Sequence, residues 1–321
     1  MIRDPDIDLA PLQGRTVAII GFGNQGRAQA LNLRESGVAV RVGLREGSPG
    51  IADAQSAGLA VMAPAEAAAE ADLVMLLAPD EHLAEVYDRI EPALVGGAAL
   101  GFSHGLAIHF GLIKPRPDLD VIMIAPKGPG SALRSLYQAG RGMVALAAVA
   151  QNPSGGAWPL ALAYASAIGC GRAGIIASTF EEECVADLFN EQAVVWGGVP
   201  ALLQAGFETL VAAGYKPEVA YLECVSELKL LAELIEARGI AGMAEAISNT
   251  AELGALLGGG RMVDEAAQRR MQTILHEIKA GDFARALGEE AAADYPRLRH
   301  ARARARTSAL EAARQQLLGG R

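Results

Sequence analysis

Cysteine is scarce in this sequence. Its three cysteines, Cys170, Cys184 and Cys224, are scattered, odd in number and form no CxxC pair, which supports neither a disulfide framework nor a zinc–thiolate site. Long apolar runs are missing too. Met143–Ala150 is among the longest and is far too short to span a bilayer. The opening residues, Met1-Ile-Arg-Asp-Pro-Asp-Ile-Asp8, are acidic and lack the basic-then-apolar order of a secretory leader. A cytoplasmic location with no membrane partner is therefore expected. Nor is there a surplus of positive charge: a net charge of −9 argues against a general affinity for nucleic acid. The local exception is Arg297, Arg299, His300, Arg302, Arg304 and Arg306. In an Ala-rich helical segment these cations spread around the cylinder, as on a solvated or subunit-facing helix; an RNA-binding arm is the alternative.

What the sequence does hold is length and apolar content. Its 321 residues, half of them hydrophobic and a fifth charged, exceed one ordinary core and predict two domains. From Thr16 to about Ala177, short β-like runs alternate with Ala-rich helical stretches. Thr16–Ile20, Ala39–Leu44, Leu73–Ala78, Ala98–Phe102 and Val121–Ala125 are the expected strands, and Gln25–Ser36 the first helix. Such alternation implies parallel βαβ units with helices on both faces. Beyond about Ser178 the periodicity becomes helical, most clearly over Glu181–Trp196 and Pro217–Ala237, and no further strand is expected. The predicted division is an α/β Rossmann domain over residues 1–179 and an all-α domain over residues 180–321.

The segment Val17-Ala-Ile-Ile-Gly21-Phe22-Gly23-Asn24-Gln25-Gly26 reads as a strand, a GxGxxG turn and a helix. Gly21 permits the tight turn, Gly23 lets backbone approach a pyrophosphate, and Gly26 allows close helix–strand packing. The helix N-terminus then offers free N–H groups to the phosphates. Where an NAD site usually ends its second strand with an acid, this chain has Gly43-Leu-Arg45-Glu-Gly-Ser48. A guanidinium and a hydroxyl suit a 2′-phosphate, which favours NADPH. Glu46 pulls the other way, and an ordinary surface role for Arg45 is the alternative.

The helical half carries two acidic pairs at i, i+4: Asp187 with Glu191, and Glu223 with Glu227. That spacing places each pair on one helix face. Both lie in apolar stretches, where a hard cation between helices would relieve their repulsion. Oxygen ligands without neighbouring His or Cys suit Mg²⁺ or Mn²⁺. Solvated helix faces are the competing explanation.

Taken in order, these segments resemble ketol-acid reductoisomerases, of the short class, from Gln13 to about Arg299. Further carrying segments are Phe102-Ser-His104-Gly-Leu-Ala-Ile-His109, Ala125-Pro-Lys127-Gly-Pro-Gly130, Asp187-Leu-Phe-Asn-Glu191, Glu223-Cys-Val-Ser-Glu227 and Ile247-Ser248-Asn-Thr-Ala-Glu252. The resemblance implies a 2-acetohydroxy acid substrate such as 2-acetolactate, alkyl migration on two Mg²⁺ ions, and reduction by NADPH. It assigns the metal ligands to Asp187, Glu191, Glu223 and Glu227, catalytic roles to His104, Lys127 and Glu227, and the substrate carboxylate to Ser248 from a partner subunit. Phe22, Asn24, Gln25, Asp80 and Gly130 join the glycines, Arg45 and Ser48 around the cofactor. A knotted helical domain and a homodimer or larger homo-oligomer are also implied. From the residues alone, His104 could equally be a packed loop histidine and Lys127 a surface charge.

Several positions depart from that pattern. Gly50 and Ile51 replace a Ser and a bulkier residue, which removes one 2′-phosphate donor and leaves NADH use open. Leu83 stands where Gln closes the Pro79-Asp80 loop, Asn190 replaces a Gly within the metal motif, and Trp196 replaces a small Cys. None of these removes a proposed ligand. A reductase of a ketopantoate-like 2-keto acid and a non-catalytic nucleotide-binding scaffold are the two rival readings.

Overall fold

The computed structural model describes residues 1–319, and the chain separates into two compact units, Met1–Ala186 and Asp187–Arg321. The first is built on one eight-stranded sheet in the order β3-β2-β1-β4-β5-β6-β7-β8. Its strands are β1 (Thr16–Ile20), β2 (Ala39–Gly43), β3 (Ala60–Met62), β4 (Leu73–Leu76), β5 (Ala99–Phe102), β6 (Asp120–Pro126), β7 (Ala145–Gln151) and β8 (Ile175–Ala177). Helices α1 (Asn24–Glu35), α2 (Gly50–Ser56), α3 (Pro64–Ala69), α4 (Leu83–Ile90), α5 (Leu106–His109), α6 (Gly130–Gln138) and α7 (Ala157–Ala167) fill the connections. Every pairing is parallel except β6 with β7.

The apolar strands are buried on both faces, and their period of two divides them between two cores. Val17, Ile19, Leu73, Met75, Ile122 and Ile124 face one side; Ala18, Ile20, Val74, Leu76, Val121 and Met123 face the other. Each fully buried Ile, Leu or Val contributes about 1.5–3 kcal/mol. A one-residue slip would exchange the two sets, so the register is strongly specified. The five expected strands all form. The structure adds β3, β7 and β8, so the sheet is mixed where parallel βαβ units alone were expected. The run noted for its shortness, Met143–Ala150, supplies most of β7.

The second unit has no strand among its described residues. It comprises the end of α8 (Phe180–Phe189), then α9 (Gly198–Ala212), α10 (Pro217–Tyr221), α11 (Leu228–Ala246), α12 (Asn249–Met262), α13 (Glu265–Lys279), α14 (Asp282–Ala292), α15 (Pro296–Arg306) and α16 (Ala309–Leu318). The two long helices read from periodicity are interrupted. A π-helical turn, Asn190–Val194, follows α8, and a second, Leu222–Ser226, separates α10 from α11. At Gly239 (φ 69°, ψ 176°) α11 is kinked.

Among the described residues of this unit, Phe207, Ala220, Tyr221 and Ala313 form one small buried cluster. Neither α11 nor α12 buries a single residue, although they carry Leu230, Ile240, Leu253, Leu256, Leu257 and Met262. The stretch Phe180–Ala212 is long and apolar enough to cross a membrane by length and composition, with mean hydropathy 1.3 over its best window. No uninterrupted apolar run shows this, because Glu181, Glu182, Glu183, Asp187 and Glu191 punctuate its first half. In the basic segment, Arg297 pairs with Glu290 at 2.6 Å and Arg299 with Asp294, so part of its charge is neutralised within its own unit.

Candidate active site

Strand order reverses between β1 and β4: the chain runs outward through β2 and β3, then returns to β4 on β1's other side. In open α/β sheets the crevice at such a reversal, beyond the strands' carboxyl ends, takes the ligand. The turn after β1 opens there. Gly21 sits at φ 104°, and a Cβ on it would lie 2.7 Å from the Leu77 carbonyl oxygen after β4. Any side chain would therefore wedge the two strand ends apart. Gly26 packs its Cα hydrogens against the Gly21 carbonyl, 2.3 Å from where a Cβ would stand. By contrast, open space surrounds Gly23 at the mouth of α1. The result is a tight turn with an accessible helix N-terminus, as a pyrophosphate requires.

The N-terminus of α1 is tied to that of α6. Ser131 N–H donates to Asn24 Oδ1 at 2.9 Å, and Gln25 Nε2 donates to the Gly128 carbonyl at 2.9 Å. A Cβ on Gly130 would fall 2.0 Å from the Asn24 carbonyl oxygen. The side chains of Asn24 and Gln25 are thus engaged by the start of α6 and the loop before it, which leaves backbone N–H groups as what this turn offers a ligand. Gly130→Ala is accordingly expected to force α6 from α1 and weaken NADPH binding by roughly 10-fold or more, a cost of about 1–3 kcal/mol for overpacking. Titration of NADPH fluorescence would measure it.

Arg45 and Ser48 occupy the turn after β2, closed by Ser48 N–H donating to the Arg45 carbonyl at 3.1 Å. Arg45 is exposed and Ser48 half-buried, and β2 is β1's immediate neighbour. Gly50, at the start of α2, lies against Phe22: its absent Cβ would come 3.2 Å from the Phe22 Cβ.

Four charged or titratable side chains gather beyond the next strand ends. Asp80 follows β4, His104 follows β5, Lys127 follows β6, and Glu183 lies in the first turn of α8, shortly after β8. His104 Nδ1 is 3.5 Å from Asp80 Oδ2, and its Nε2 is 4.0 Å from Glu183 Oε2. Lys127 Nζ donates to Glu183 Oε1 at 3.1 Å, while Gly105 N–H donates to Glu183 Oε2 at 2.7 Å. The Glu183 side chain is only 1% exposed. A carboxylate so deeply placed needs both the ion pair and the N–H donor to offset its desolvation.

Local sequence explains why Glu183 turns inward. Thr179 caps α8 by accepting from Glu182 N–H at 3.0 Å, and Glu182 itself accepts from Ser178 Oγ at 2.7 Å. The three acids Glu181–Glu183 suit the positive end of the helix, and the face shared with Cys184 and Leu188 buries only the third. Sequence reasoning missed Glu183. The signal was available: it precedes Asp187 by four residues, extending the acidic spacing one turn upstream.

Asp187 follows on the same helix and is half-buried, whereas Glu191, Glu223 and Glu227 are exposed. The apolar stretches that hold the two acidic pairs therefore do not bury these three carboxylates within a single chain. Glu191 and Glu223 each lie in a π-helical turn, and Glu227 directly follows the second. Such turns widen the helix and re-aim side chains, and they concentrate at functional sites. Both turns pack against α9. Ser248 caps α12, its Oγ accepting from Ala251 N–H at 3.2 Å, so the hydroxyl proton remains available to an anion at that helix start. Cys170 is buried, which pushes its thiol up to about 12; it is no nucleophile.

A sheet reversal with a glycine turn, beside a cluster of acid, imidazole and ammonium groups, defines a nicotinamide-dinucleotide oxidoreductase with an appended helical domain. Low-identity structural neighbours show the same fold: a semialdehyde dehydrogenase NAD-binding protein from Cupriavidus necator superposes with a TM-score of 0.63 at 19% identity, over 84% of this chain and 99% of that one. Sequence comparison is more specific. Residues 11–174 match the acetohydroxy acid isomeroreductase NADPH-binding domain, and residues 180–320 match the ketol-acid reductoisomerase C-terminal domain. The chain belongs to the ketol-acid reductoisomerase family. A ketol-acid reductoisomerase (NADP(+)) from Kineococcus radiotolerans is 49% identical over 318 residues, covering 99% of this chain and 93% of the relative. An NADH-preferring ketol-acid reductoisomerase from an uncultured archean superposes with a TM-score of 0.95 at 41% identity, over 98% of this chain and 97% of that one.

Proposed function

We propose that this chain converts a 2-acetohydroxy acid, such as 2-acetolactate, to the corresponding 2,3-dihydroxy acid in branched-chain amino-acid biosynthesis, using NADPH and two Mg²⁺ ions. The observation that carries the reading is the cluster of Asp80, His104, Lys127 and Glu183 at the sheet's carboxyl edge, with α8 continuing from it to Asp187, in a chain of this family. When bound, Mg²⁺ supplies Lewis-acid polarisation of the substrate's neighbouring oxygens and NADPH supplies the hydride. The donor set fits a hard cation, since Asp187, Glu191, Glu223 and Glu227 offer only carboxylate oxygens. The glycine turn fits a pyrophosphate.

The chain's residues then divide the work. Gly21, Phe22, Gly23, Asn24, Gln25 and Gly26 shape the turn that receives the pyrophosphate, and Gly130 holds α6 against it. Arg45 and Ser48 receive the 2′-phosphate. Asp80 and Glu183 flank the His104 imidazole and restrict its orientation. Lys127, held by Glu183, presents its ammonium toward the substrate oxygens. Glu227 serves as a ligand and as a proton acceptor near the migrating centre, and Ser248 donates to the substrate carboxylate. A cytoplasmic, homo-oligomeric enzyme completes the proposal: α11 and α12 bury nothing within one chain, and a second copy would cover them.

Two substitutions test these roles. Glu183→Gln keeps an acceptor for Gly105 N–H but removes the charge that holds Lys127. Its kcat is expected to fall by about 10²-fold, within the range of a displaced acid–base group, with little change in NADPH affinity. Arg45→Ala removes a charge-assisted hydrogen bond of about 1.5–3 kcal/mol. The KM for NADPH is therefore expected to rise roughly 10- to 100-fold while that for NADH stays within about twofold. Equal effects on both cofactors would show that Arg45 does not read the 2′-phosphate. The rival 2-keto acid reductase predicts turnover of a preformed 2-keto acid without Mg²⁺.

A further inference from the structure

Behind the cluster at the carboxyl edge runs a chain of side-chain hydrogen bonds, fully buried at its inner end, in which Tyr164, Gln29 and Ser103 have no role above. Tyr164 of α7 and Gln29 of α1 are both fully buried. Tyr164 Oη donates to Gln29 Oε1 at 2.7 Å. Gln29 Nε2 donates to Ser103 Oγ at 2.9 Å and to Gln25 Oε1 at 3.1 Å. Gln25 Nε2 donates in turn to the Gly128 carbonyl. The amide of Gln29 therefore spends both its protons and its oxygen inside the fold.

The direction of this chain is fixed at one end. A carbonyl can only accept, so Gly128 requires the amide nitrogen of Gln25 and turns the Gln25 oxygen toward Gln29. Gln29 must answer with its own nitrogen, which leaves its oxygen for the tyrosine hydroxyl. One acceptor-only group thus orders three side chains, and a reversed amide at either glutamine would oppose like partners. Buried networks of this kind are rigid when every member is satisfied and costly when one is lost.

The segments it joins are those that carry the site. Gln25 lies in the turn for the pyrophosphate, Ser103 immediately precedes His104, and Gly128 immediately follows Lys127. We infer that Gln29 is a positioning residue, whose buried amide holds the start of α1, the loop bearing His104 and the loop bearing Lys127 at one fixed spacing. It touches neither substrate nor cofactor. Its effect reaches the reaction through the placement of groups that do, and a displacement of about 1 Å in such groups costs about 10²-fold in rate. The inference rests on the proposed isomeroreductase reading for what those groups act upon, but not for the network itself.

The test separates positioning from mere stability. Gln29→Met keeps length and removes all three hydrogen bonds, which leaves the Tyr164 hydroxyl buried and unpaired. Adding Tyr164→Phe removes that orphan and recovers the stability lost at this fully buried pair, while Ser103 and Gln25, both half-buried, still lose their bonds to Gln29. Tyr164→Phe alone lowers stability while Gln29 keeps its bonds to Ser103 and Gln25. We expect kcat of the double variant, read at saturating NADPH, to stay at least about 10-fold below the parent although its thermal midpoint recovers. Tyr164→Phe alone is expected to keep kcat within about threefold. Ser103→Ala, which cuts only the tie to the His104 loop, is expected to lower kcat several-fold. A kcat that returns with the thermal midpoint in the double variant, or an equal loss in Tyr164→Phe, would overturn the inference. Turnover is read with 2-acetolactate and with a preformed 2-keto acid. A parent active only on the latter overturns the substrate reading and still reports on Gln29.

Discussion

Asp187→Asn is expected to lower turnover of 2-acetolactate by about 10³-fold or more while leaving NADPH affinity and helical content unchanged. The carboxylate lies one turn beyond Glu183 on α8 and is half-buried. An amide keeps its volume but loses the charge that a hard, strongly hydrated cation needs to exchange water for protein oxygen. Lewis-acid polarisation is worth several kcal/mol of transition-state stabilisation, and each 1.36 kcal/mol is about tenfold in rate. The pyrophosphate turn lies at residues 21–26, so cofactor titration should not register the change. Retention of more than about a tenth of the parent rate would remove Asp187 from the ligand set.

The second large effect concerns assembly. Leu256 and Leu257 on α12 are 77% and 65% exposed in a single chain, on a helix that buries none of its residues. Burial of each leucine against a second copy contributes about 1.5–3 kcal/mol, and two-fold symmetry counts each twice. Leu256→Asp with Leu257→Asp is therefore expected to weaken self-association by about four orders of magnitude or more, and to abolish activity with it. Analytical ultracentrifugation across a concentration series would show the loss of the larger species. An assembly unchanged in size would mean that α12 faces solvent or another partner.

Much of the first unit was legible because its physics is local. The continuous apolar run Val17-Ala-Ile-Ile20 and the glycines after it indicate a buried parallel strand and a phosphate turn without reference to distant residues. The edge strands were not legible. Ala60–Met62 and Ile175–Ala177 have three residues each, too few to show a period. Ala145–Gln151 pairs antiparallel with β6, a direction that its own Ala-rich sequence does not encode.

The acidic pairs were found by spacing, yet their surroundings were misjudged. Whether Glu223 and Glu227 face a core or solvent depends on what covers α11, and the π-helical turns that carry Glu191 and Glu223 leave no mark on residue type. Glu183 was hidden among three consecutive glutamates, whose separate fates are decided by the helix face that Cys184 and Leu188 bury. Gln29 was invisible for a related reason. A glutamine in a helix reads as surface until its partners Ser103 and Tyr164, 74 and 135 residues away, are brought to it.

The most direct test of the whole account is NADPH oxidation with 2-acetolactate as substrate, followed by absorbance with Mg²⁺ present and then after chelation. For an isomeroreductase, steady turnover is expected, stopping when Mg²⁺ is removed and returning when it is restored. Oxidation of NADPH by a preformed 2-keto acid regardless of Mg²⁺, with no turnover of 2-acetolactate by the folded protein, would contradict it.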